Sequence, residues 1–129
     1  MDMKIFINEV TKNAQGNNII KFTTEYGNAC ALWNGTAPQI NEEYTVEFEI
    51  PNVLCWKRDI ISAQEGYLIT IENNKFCLVG LFESIDDDGY TVIRLGESII
   101  PIETEGEPLK LGSFVKLTTN TLVLYEVNY

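Results

Sequence analysis

Tyr44-Thr45-Val46-Glu47-Phe48-Glu49-Ile50 alternates apolar and polar residues, with Tyr44, Val46, Phe48 and Ile50 on one face and Thr45, Glu47 and Glu49 on the other. A period of two is the repeat of a pleated strand, so the segment reads as a half-buried strand whose outer face carries carboxylates. The same pattern recurs on both sides. Strands are expected at Met3–Val10, Ile19–Thr24, Ala29–Trp33, Val53–Lys57, Tyr67–Glu72, Lys75–Glu83, Tyr90–Leu95, Ser98–Glu103, Ser113–Thr118 and Leu122–Val127. Turn chemistry separates them. Asn73-Asn74 accepts positive φ and reads as a two-residue hairpin, Gly16-Asn17 and Asp88-Gly89 give similar signals, and Asn120 is expected to turn a last hairpin.

Only Asp59–Glu65 reads as helical, with Asp59 as N-cap and Gly66 as stop, and it spans at most two turns. The fold class is therefore all-β, a small antiparallel barrel or a two-sheet sandwich. Several strands, a short helix and more strands also give the order of an oligonucleotide-binding (OB) barrel, an analogy of fold that does not set function.

A chain of 129 residues is one average domain, and a domain of that size buries roughly 65–70% of its extended-chain surface. One compact β domain over residues 1–129 is expected. It holds a weak internal similarity. Glu9–Gly16 leading into Ile19–Phe22 resembles Glu83–Gly89 leading into Val92–Leu95. Both continue through Gly/Pro-marked loops, and with short deletions Val53-Leu54-Cys55-Trp56 matches Leu122-Val123-Leu124-Tyr125. Read as a repeat, the chain is two units, 1–66 and 67–129, each marginal in size alone. Chance similarity between β segments of like composition is the competing reading.

Composition narrows the chemistry. The chain has no histidine, which removes Ser-His-Asp and Cys-His catalysis and the commonest base near neutral pH. With 19 acids some carboxylate pair is inevitable, so a glycosidase-type pair carries no weight. The expectation is a protein that is not an enzyme. Asp86-Asp87-Asp88-Gly89 lacks the spacing of a calcium loop and reads as a solvated turn. Cys30, Cys55 and Cys77 form no CxxC pair and are odd in number, so no metal site, cofactor or closed disulfide framework is expected. Met1–Glu9 lacks the pattern of a secretory leader, and no apolar run approaches the ~20 residues of a span. A soluble, cytoplasmic protein is expected.

The remaining signal is charge. Nineteen acids stand against nine bases, a net charge of −10. Such a surface repels nucleic acid and anionic membrane and speeds encounter with a basic protein. Trp56-Lys57-Arg58 holds the one adjacent basic pair, too little for a groove that follows phosphates. The acids fall into two groups: Glu42, Glu43, Glu47 and Glu49 without a base among them, and the stretch from Glu83 to Glu107 with only Arg94. From these, Glu42, Glu43, Glu47, Glu49, Asp86, Asp87, Asp88, Glu103, Glu105 and Glu107 are the candidate partner-binding residues. Trp33, beside Asn34-Gly35, is the candidate apolar anchor, with core packing its competing reading.

The functional expectation is an acidic inhibitor or immunity protein that neutralises a basic toxin, such as a nuclease, by occluding its cationic surface. Acidity that serves only solubility is the plainer explanation. Two further function classes fit the composition: an OB-type nucleic-acid or oligosaccharide-binding module, and a structural adaptor in a phage or secretion assembly.

Overall fold

The structure, a computed structural model, describes residues 2–127. Its strands are β1 (Met3–Lys12), β2 (Asn18–Thr24), β3 (Gly27–Asn34), β4 (Glu43–Glu49), β5 (Leu54–Cys55) and β6 (Ile60–Ser62), then β7 (Leu68–Glu72), β8 (Lys75–Ile85), β9 (Tyr90–Leu95), β10 (Ser98–Glu105), β11 (Phe114–Thr119) and β12 (Val123–Glu126). The alternation along 44–50 holds: Val46, Phe48 and Ile50 are buried while Glu43, Glu47 and Glu49 face solvent. The fold is all-β.

Two barrel-like units form. In the first, β1-β2-β3-β12-β4 closes on itself, antiparallel throughout except for the parallel pair β3–β12. The second runs β5-β10-β9-β8-β11-β6, with β7 paired to β8 beside that path. Its ends approach through a single bridge from Trp56 to Ile60, which nearly closes it.

The two units share one pairing scheme. Each has a three-stranded meander (β1-β2-β3; β8-β9-β10), a fourth strand against the first (β4; β11), and a fifth lying parallel to the third (β12; β5). Local details agree as well. Each meander has a bulge in its first strand, between Ile7 and Glu9 or between Phe82 and Ser84. In the first turns, Asn13 Oδ1 accepts the amides of Gln15 and Asn17, and Asp86 Oδ1 accepts those of Asp88 and Tyr90. Before the fourth strands, the amides of Asn41 and Gly112, both at positive φ, donate to Ile7 O and Phe82 O. The fifth strands are exchanged. β12, from the C-terminal part of the chain, completes the first barrel, and β5, from the N-terminal part, completes the second.

Four expectations change. No helix forms among the described residues, and the expected helix at 59–65 contains β6 instead. Ile60 is fully buried opposite Leu117 and Ile61 points out opposite Lys116, the parity of a strand, to which β-branched pairs are suited. The Asp59 carboxylate turns back to the Cys55 amide and caps no helix. Asn120 turns no hairpin either, because β11 pairs with β8 and β6 while β12 crosses to the other barrel. Finally, residue 66 is not a boundary between barrels, and the fifth-strand match is shifted by one residue. Leu54 opposite Thr104 corresponds to Leu124 opposite Trp33.

The apolar inner faces make one core cluster through both units. Phe48 links them, edge-on to Phe22 at 6.0 Å and to Phe76 at 6.3 Å. At another contact, the Ile69 amide donates to Tyr26 O and the Tyr26 and Tyr67 rings meet at 5.8 Å.

Candidate functional site

All ten nominated carboxylates are exposed, as strand parity requires. They do not form one patch. Glu43, Glu47 and Glu49 share the outer face of β4, with Glu42 just before it. Two of these are engaged within the chain. Glu43 lies 3.9 Å from the Lys4 ammonium. The Glu49 carboxylate, near the Tyr125 hydroxyl, holds that phenol above its ordinary pKa. Glu47 stands opposite Tyr125 in the β4–β12 ladder and lines a hollow with Phe48, Ile99 and Pro101, where the first barrel meets β10.

The second group converges at one end of the second barrel. The Asp86 side chain ties its own turn, accepting from the Asp88 and Tyr90 amides at 2.9 Å each. That turn is clamped onto β10. Gly89 O accepts from the Thr104 amide at 2.9 Å, from the Thr104 hydroxyl at 2.9 Å and from the Thr91 hydroxyl at 3.1 Å. Gly89 adopts φ of 86° and abuts Thr104 O so closely that a Cβ there would collide with it. Thr104 faces inward, so its neighbours Glu103 and Glu105 project outward beside the Asp86–Asp88 turn. Tyr90, directly across the ladder from Glu103, is 49% exposed in the middle of this group.

Among the described residues, Asp87, Asp88 and Glu103 have no base within ion-pair distance. Glu105 has the Cys55 thiol at 3.7 Å, and Glu107 lies beyond the strand, 3.8 Å from the Lys57 ammonium. The group is therefore a concentration of free negative charge around an exposed aromatic ring. Such a surface raises the local concentration of cations and offers acceptors to Arg and Lys.

Trp33 is not part of any such surface. It is 5% exposed, packs edge-on against Tyr44 at 5.3 Å and donates its indole N–H to Thr36 O at 2.9 Å. The first barrel fills its interior with this ring where the second has the smaller Thr104, so the anchor role fails for burial. Tyr90 is the exposed aromatic that the acids surround. The sequence holds a signal for it, because Arg94 marks the outward parity of β9 and Tyr90 shares that parity.

Cys30 and Cys55 are half-buried, Cys77 is buried, and all three are free thiols. Among the described residues no three Cys, Asp or Glu side chains are arranged to hold a metal ion. Comparison with family models, with curated proteins and with solved structures finds no match for this chain.

Proposed function

We propose that this chain is a non-enzymatic acidic binding protein that neutralises a basic protein, most readily a nuclease toxin, by covering the cationic surface that would grip phosphate. The observation that carries this reading is the gathering of Asp86, Asp87, Asp88, Glu103 and Glu105 around exposed Tyr90 on a rigid β frame. The backbone that carries the carboxylates is already ordered and adds little entropy cost when they meet Arg and Lys, and a ring among them supplies apolar contact and a cation–π face.

The test is capture from the native host on immobilised chain, beside the triple variant Asp87→Lys, Asp88→Lys, Glu103→Lys. The wild type should retain a basic protein and block its activity on nucleic acid. The variant should lose association rate by roughly tenfold or more at low salt, with a flatter salt dependence. Equal retention by both chains, or capture of no basic protein, overturns the reading.

A second reading, a nucleic-acid or oligosaccharide module, draws on the strand order of the first barrel. Its electrostatics run against polyanions, since Lys21 on the outer face of β2 is tied to Glu9 at 3.1 Å. A salt-sensitive gel shift with single-stranded DNA or RNA would favour it.

A further inference from the structure

The acidic face has a counterpart on the first barrel with opposite chemistry. Leu32 precedes Trp33, the residue opposite Leu124; Glu103 precedes Thr104, the residue opposite Leu54. Leu32 and Glu103 thus hold the same place in their barrels, as do their cross-strand partners Ile19 and Tyr90. Where the second barrel displays a carboxylate and a phenol, the first displays two aliphatic side chains.

These aliphatic residues do not lie on a flat face. The β7–β8 hairpin and the link from β11 to β12 rise beside them and, with them, shape a cavity of about 390 Å³ that is open to solvent on one side. Ile19, Cys30, Leu32, Ile71, Phe76 and Leu122 give its apolar lining. Asn74, Asn120 and Thr121 supply its polar side chains, and no charged residue lines it. On a chain with 19 acids and nine bases, a ten-residue concavity free of ionisable carboxylates and amines stands apart from the rest of the surface. Its volume falls in the range of small-molecule sites, roughly 300–1,000 Å³, and mostly apolar walls with a few amides are what such sites use.

We propose that this cavity is a second binding site, specific for an uncharged, mainly apolar small molecule whose polar end pairs with the Asn74 and Asn120 amides. A charged ligand would lose its hydration without gaining a counter-ion, which sets the selectivity. Apolar area removed from water supplies the affinity. The hairpin and the link that shape the cavity belong to the second barrel and to the crossing segment, so a bound molecule would touch both units.

The probe is N-phenylnaphthylamine, an uncharged aromatic whose emission rises in apolar surroundings. The full chain should bind it saturably, one per molecule, and bound probe should slow alkylation of Cys30 by N-ethylmaleimide while leaving Cys55 unchanged. Ile71→Glu places a charge in the wall and Cys30→Phe fills the space; each should weaken binding by roughly tenfold or more. Glu65→Gln, on an exposed loop that does not line the cavity, should bind as wild type does. Absence of saturable binding, equal affinity in both cavity variants, or unprotected Cys30 overturns the proposal. The Cys30 measurement uses unaltered chain and so does not depend on how the variants fold. Partner capture is a separate assay, so either site can fail alone.

Discussion

The Asp59 carboxylate lies 3.0 Å from the Arg58 guanidinium and accepts the Cys55 amide at 2.8 Å. The hydrogen bond from Arg58, and after it the Cys55 amide, hold Asp59 below the usual carboxylate range against the opposing effect of burial. A depressed folded pKa stabilises the fold at pH above the ordinary carboxylate value, and this stabilisation is lost as pH falls through the folded pKa. Asp59→Asn keeps the shape and removes the charge. It should unfold about 1 kcal/mol more easily in urea at pH 7, with the difference from wild type closing below about pH 4. A gap independent of pH would mean that the charge plays no part. In the sequence this residue is legible as a terminus signal but not as the right one, because a capping aspartate looks the same whether it turns forward into a helix or back to a strand end. Trp33 shows the same limit, since Ala29-Cys30-Ala31-Leu32 offers apolar residues on both faces of β3 and only the packing on Tyr44 assigns the ring to the core, whereas Arg94 marks Tyr90 as outward.

At the scale of elements, the turns are the most legible parts of the chain. Asn73 and Asn74 both take positive φ, 52° and 63°, as the mirror-image hairpin turn requires. The Asp86–Gly89 turn does more than reverse the chain, since it holds three acids against β10. Gly89→Ala sets a methyl against Thr104 O and should cost about 2–3 kcal/mol in thermal or urea unfolding. The displaced turn should also carry Asp87 and Asp88 away from Glu103 and weaken capture of a basic partner. A variant that loses stability but captures as before would show that the turn need not be clamped. Strand boundaries are legible to within a few residues except at β6, which reads as helical, and β5 shrinks most. Val53–Lys57 has strand composition, yet only Leu54 and Cys55 pair as a strand, because Lys57 turns at φ of 73° toward β6.

For the whole molecule, period-two patterning specifies an all-β chain with apolar residues inside, and the ten acids lie outside as that parity demands. It cannot specify partners. A four-residue strand such as β12 fits any ladder with an open edge, and nothing local distinguishes a hairpin back to β11 from insertion between β3 and β4. The exchange has a measurable result. Leu124 is fully buried in the first barrel although its connection comes from the second. Leu124→Ala should cost about 2–5 kcal/mol, with amide exchange rising first in β3 and β4. Faster exchange confined to β11 would contradict the assignment of β12 to the first barrel. The exchange also bears on synthesis. A ribosome releases the N-terminal barrel's first four strands early, yet their ring stays open, edges and apolar lining exposed, until Glu126 has left the exit tunnel. Closure of the first barrel thus waits on a strand made after all of the second, and a nascent chain stalled after β11 would present unpaired strand edges to chaperones and proteases.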